Sequence, residues 1–170
     1  MRERAIGFGI MAVALLVLIA TQAPRIFGQQ AAANDPLVGT WKLNLAKSLN
    51  MPGPDGTSTH PTRAATRVVT VEGDGFRMAT YDDATPDNVR SYFFRPDGKD
   101  YPDPHGPGRG EVAYHWRPNP YVMLRLVLTK GKPTEWVNYA VSANGNELIT
   151  TMWAPEAPDK HQIQVYDRAK

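Results

Sequence analysis

The chain has 170 residues, with 15 prolines, 14 glycines, no cysteine and a formal net charge of +2. Without cysteine, a disulfide framework and thiolate chemistry are both excluded. Of the 19 basic residues, Arg2, Arg4 and Arg25 precede Asn34, as does Glu3 of the 17 acidic ones; 16 of each remain. The balance from Asn34 onward is neutral, which argues against nucleic acid or an anionic membrane surface as partner, because neutralising phosphates takes a surplus of Lys and Arg.

The N-terminus reads as a leader. Arg2 and Arg4 precede the apolar run Ala5–Ala20, and Ala31-Ala32-Ala33 offers small residues for cleavage. These are the three parts of a secretory signal peptide. The run falls short of the ~20 residues that cross a bilayer comfortably, so an uncleaved membrane anchor is the lesser alternative. The expected organisation is a signal peptide over 1–33 and one domain over 34–170, secreted or periplasmic. A domain of about 150 residues buries roughly 68–70% of its unfolded surface and holds together without staples.

The first ordered stretch is Asp35–Ser48. Leu37, Gly39, Trp41, Leu43 and Leu45 share one parity, and Val38, Thr40, Lys42 and Asn44 the other. This is the alternation of a half-buried strand with its Leu/Trp row inward. Gly39, on the Trp41 face, leaves room for the indole or for a passing backbone. The Pro/Gly-rich segment 46–63 reads as a long loop.

Strands are predicted over 65–71 and 76–82, joined by Gly73-Asp74-Gly75, then over 89–95 after a turn at 83–88. Residues 101–110 are irregular. Further strands follow over 111–117, 121–129, 135–141, 147–153 and 162–166, separated by turn residues such as Lys130-Gly131 and Asn144-Gly145. In the 121–129 segment Val122, Leu124, Leu126 and Leu128 form an apolar row, with Arg125 opposite. No segment after the leader keeps a helical period. Eight to ten short strands with tight turns make an all-β, antiparallel, up-and-down barrel the expected fold, with a sandwich as the alternative.

Gly39-Thr40-Trp41 near the start of the domain resembles the Gly-x-Trp signature of the lipocalin superfamily. The longer string from Val38 to Ser48, with Asp97–Pro102, Val141–Gly145 and Val165–Arg168, resembles small exported bacterial lipocalin-like domains. The resemblance implies a small barrel with a ligand cavity, a structural Trp41 at its closed end, and a basic residue over that Trp. Arg168 is the candidate by position. Alternation sends Tyr166 and Arg168 outward if Ile163 and Val165 face inward, unless a bulge intervenes.

No catalytic set and no cofactor are indicated: there is no Gly-x-Ser-x-Gly elbow, phosphate loop or dinucleotide fingerprint. The histidines His60, His105, His115 and His161 show no ligand spacing, so no metal is expected. His115 is expected to face outward. The Asp residues cluster in turns, where they accept backbone hydrogen bonds. The aromatics are more informative, since about half should point into a barrel. Met78, Tyr92, Phe94, Tyr114, Trp116, Leu126 and Tyr139 are the candidate cavity-lining residues. The expected function is binding or carriage of a small, mostly apolar molecule, with loops 46–63 and 101–110 over the mouth. A filled barrel acting as an envelope or protein-interaction module is the alternative, and a barrel-type isomerase or cyclase the less favoured one.

Overall fold

The computed structural model describes residues 33–50, 61, 63–102 and 112–170. The predicted leader, most of the 46–63 loop and most of the 101–110 segment lie outside the described residues. The described chain is all-β. Its strands are β1 (Gly39–Leu43), β2 (Leu49–Asn50), β3 (Ala65–Glu72), β4 (Gly75–Asp82), β5 (Thr85–Phe94), β6 (Asp97–Pro102), β7 (Val112–Asn119), β8 (Val122–Thr129), β9 (Lys132–Val141), β10 (Glu147–Ala154) and β11 (Ala157–Arg168).

All join one antiparallel sheet in the order β5-β4-β3-β1-β11-β10-β9-β8-β7-β6, with the short β2 added on β11. Sequence neighbours pair from β3 to β5 and from β6 to β11, and β1 bridges β3 to β11. The sheet curls into a nearly closed barrel whose seam lies between β5 and β6, which do not pair. Across the seam Phe93 and Tyr101 meet edge to face at 6.0 Å.

The strands run longer than predicted, and proline explains why. A proline removes a ladder donor, so it reads as a strand breaker, yet edges and bulges tolerate it. Pro86 and Pro102 lie on the edge strands β5 and β6, each paired on one side only. Pro118 and Pro133 sit at register shifts in the β7–β8 and β8–β9 ladders. The β8–β9 hairpin turns through Lys130 and Gly131, with φ of 50° and 72°. Positive φ at both central residues is the geometry whose twist matches paired strands.

The closed end is built on the predicted Leu37–Trp41 row. Trp41 is fully buried, and its indole N–H donates to the Leu37 carbonyl at 3.0 Å. Phe76 and Phe94 stack nearby at 5.5 Å. The guanidinium of Arg168 lies 4.0 Å from the Trp41 ring centroid. It donates to the carbonyls of Pro36, Val38 and Gly145, closing three chain segments over the ring.

Two expectations change here. The space beside Gly39 is taken by Arg168: a Cβ at Gly39 would collide with its guanidinium nitrogen, and φ of +147° already favours glycine. The parity of β11 is also the reverse of that expected. Arg168 stands opposite Trp41, and Tyr166, 1% exposed, faces inward beside it in the alternation. Val165 faces outward but is covered by the 44–48 turn, where its N–H donates to the Ser48 hydroxyl at 3.0 Å. The burial of Val165 comes from that turn, not from the barrel interior.

Candidate functional site

Above the closed end the barrel holds a cavity of about 760 Å³. This falls within the roughly 300–1,000 Å³ typical of small-molecule sites. It opens where β4 ends at Asp82 and β9 begins near Thr134 and Glu135. Leu43, Met78 and Met152 contribute apolar wall; Tyr92, Tyr139 and Tyr166 contribute rings with hydroxyl tips.

Four arginines line this space, Arg63 and Arg90 at its exposed rim and Arg67 and Arg125 buried in its wall. Arg67, on β3, is 7% exposed. It donates to the hydroxyls of Thr150 at 2.9 Å and Thr80 at 3.4 Å. Its guanidinium lies over the Tyr166 ring at 4.5 Å and the Tyr139 ring at 5.5 Å. Among the described residues it forms no ion pair with a carboxylate. Arg125, on β8, is 3% exposed, pairs with Glu135 at 3.1 Å and lies 5.3 Å from the Tyr92 ring centroid. The Tyr92 and Tyr139 hydroxyls are 3.2 Å apart. Burial, then the neighbouring Tyr139, holds the Tyr92 phenol neutral well above its ordinary range. The wall is therefore more polar than strand alternation suggests, because two buried inward positions carry cations.

Beneath the cavity floor, His115 is 1% exposed and its ring stacks on Phe94 at 4.3 Å and more loosely on Tyr92 at 5.9 Å. Neither ring nitrogen has a hydrogen-bond partner among the described residues. Burial first, and then the charge of Arg125, depress its pKa well below 6.5, so the imidazole is neutral. The expected outward placement of His115 is thus corrected. Its row, with Ala113 and Arg117, is the buried face of β7; Arg117 reaches down to an ion pair with Asp35.

The same inversion moves three of the candidate lining residues. Tyr114, Trp116 and Leu126 lie on the outer wall, not in the cavity. On β8 it is Met123, Arg125 and Val127 that face inward. Both rows of this strand are largely apolar, and the placement follows its pairing partners: Arg125 stands opposite His115 and Val137, Leu126 opposite Tyr114 and Trp136. Met78, Tyr92 and Tyr139 line the cavity. Phe94 faces inward but is fully buried below it, between Phe76 and His115. Sequence reasoning passed over Arg67 and Arg125 as lining residues. For Arg67 the signal was available, since it shares a parity with Val69 and Val71 on β3. Among the described residues no three metal-ligating side chains gather.

No protein-family model matches the chain. No curated protein matches it either. Solved structures do match. A fatty acid binding protein of Schistosoma mansoni in complex with arachidonic acid superposes with a TM-score of 0.62 at 17% identity, over 82% of this chain and 100% of that one. The REP1-NXSQ fatty acid transporter gives 0.57 at 16% identity, over 79% and 96%. A fatty-acid-binding protein from brain tissue of Drosophila melanogaster gives 0.56 at 20% identity, over 76% and 98%. At these identities the likeness is one of fold, an antiparallel, nearly closed β-barrel.

Proposed function

We propose that the protein binds and carries a small amphipathic molecule in the barrel, its apolar body against Leu43, Met78 and Met152 and an anionic head toward Arg67. The observation that carries this is Arg67 itself. A buried guanidinium bonded only to hydroxyls lacks a countercharge, and a buried charge without one is costly. A ligand carboxylate supplies it. Burial of the apolar body adds about 25 cal/mol per Å² of area removed from water. The similarity to fatty-acid-binding barrels supports the same reading, and the leader-like N-terminus supports action after export. An interior of about 760 Å³ supports this reading over the filled-barrel alternative.

The test is displacement of a fluorescent fatty-acid probe by a long-chain carboxylate and by the alcohol of the same length. Charge-assisted hydrogen bonds contribute about 1.5–3 kcal/mol, so the carboxylate should bind roughly ten- to hundredfold more tightly. Arg67→Met should erase that preference and leave the alcohol's affinity unchanged. Equal affinities for acid and alcohol in the unaltered protein would refute the assignment of the head group, and failure of both to bind would refute carriage.

A further inference from the structure

The outer wall of β7–β10 is the least expected surface of the molecule. Trp116, Trp136 and Trp153 form a diagonal row across it; Trp116 meets Trp136 edge to face at 5.7 Å, and Trp136 stacks on Trp153 at 6.4 Å. Three of the chain's four tryptophans are therefore outside the barrel. Tyr114, Leu126, Leu128 and Pro133 continue the row as a shallow open groove of about 410 Å³. The row is only partly covered by its own neighbours. Its tryptophan side chains are half-buried, and contiguous apolar surface left partly open is where interaction sites form.

We propose that this wall is a bilayer-contact surface that rests against lipid beside the mouth of the barrel. Three observations favour lipid over a protein partner. The first is chemical: indole and phenol rings concentrate where hydrocarbon meets head groups, having an apolar body and a polar tip. The second is charge. The hairpin at the mouth-ward end of the wall, Leu128 to Thr134, contains Lys130 and Lys132 and no carboxylate. Lysines at the edge of an apolar surface suit an anionic leaflet. The third is continuity with the cavity: Glu135 lines the mouth while the next residue, Trp136, stands in the row outside. Net neutrality from Asn34 onward excludes long-range attraction to a membrane but not a local apolar contact. No helix among the described residues is long and apolar enough to cross a membrane; the contact proposed is a peripheral one. Loading of an amphiphile from the bilayer follows only if the carriage reading also holds.

The experiment uses the chain from Asn34 onward, which removes the apolar leader. It keeps every described strand, the β1–β11 closure and the base. The protein is floated with phosphatidylcholine vesicles, with and without phosphatidylglycerol, and tryptophan emission is quenched with bromolipid. The same sample is tested for cavity binding with the fluorescent fatty-acid probe. Co-flotation, with quenching of the outer tryptophans, is the expected result. The double variant Trp136→Ser/Leu126→Ser should weaken vesicle binding by about tenfold or more, since two large apolar side chains leave the contact, while the probe still binds. Should that variant not fold, Lys130→Glu/Lys132→Glu, confined to an exposed turn, is expected to remove the gain from phosphatidylglycerol. Probe binding without flotation would overturn the bilayer contact and leave carriage standing; flotation without probe binding would do the reverse. Equal flotation of all variants would also overturn it. A concentration-dependent dimer with lipid-independent emission changes would assign the wall to a second copy instead.

Discussion

Strands β4 and β8 belong to one barrel and follow opposite conventions. On β4, Phe76 and Met78 are buried inside, while Arg77 faces out to pair with Glu72. On β8 the leucines face out and Arg125 faces in. The inversion is tolerated because Arg125 is not left bare: Glu135 and the Tyr92 ring receive it. The leucines in turn lie against tryptophan and tyrosine on neighbouring strands, so an apolar row finds apolar company on the outside. The comparison teaches that an apolar row marks a face, and that the neighbouring strands decide whether the face is inner or outer.

The comparison can be broken most sharply at the base. Phe76→Ala removes an inward ring from β4 and should cost about 3–5 kcal/mol, read as a lowered midpoint in urea unfolding. Arg168→Met removes the cover from Trp41 and leaves three carbonyls to water; a loss of about 2–3 kcal/mol is expected, again by urea unfolding. His115, the other inverted polar residue, predicts a pH signature. Its folded pKa is depressed, so the unfolded chain takes up a proton first as pH falls below 6.5. Stability should be full above that pH and decline below it, by at most about 1.4 kcal/mol per pH unit. His115→Gln should flatten the decline, measured as midpoints between neutral and mildly acidic pH. The smallest effect belongs to the outer wall of β8. Leu126→Ser should change stability by only about 0.5 kcal/mol, far less than Phe76→Ala on β4. An equal loss would mean that the leucine row is a core after all.

Much of the barrel is readable from the sequence. Turn chemistry at Gly73-Asp74-Gly75, Lys130-Gly131 and Asn144-Gly145 places hairpins wherever strands alternate. Trp41 on the Leu37–Leu43 parity is legible as the base because the opposite parity, Val38, Thr40, Lys42 and Asn44, is mostly polar. The site was harder to read. Met78, Tyr92 and Tyr139 belong to rows with a clear inward side, whereas Tyr114, Trp116 and Leu126 do not. Arginine reads as a surface residue on composition alone, and Arg67 and Arg125 are inside because Thr150 and the tyrosine rings reach them from distant strands and Glu135 from the next strand of the hairpin.

The sequence by itself determined the class: period-two alternation and glycine turns allow an antiparallel sheet and little else, since both act within a few residues. Only the tertiary structure decided which wall of each strand became the interior. That choice depends on cross-strand partners far apart in the chain, Trp41 opposite Arg168 among them, and on closure at that pair, where a one-residue difference in phase exchanges the inside of the barrel for the outside.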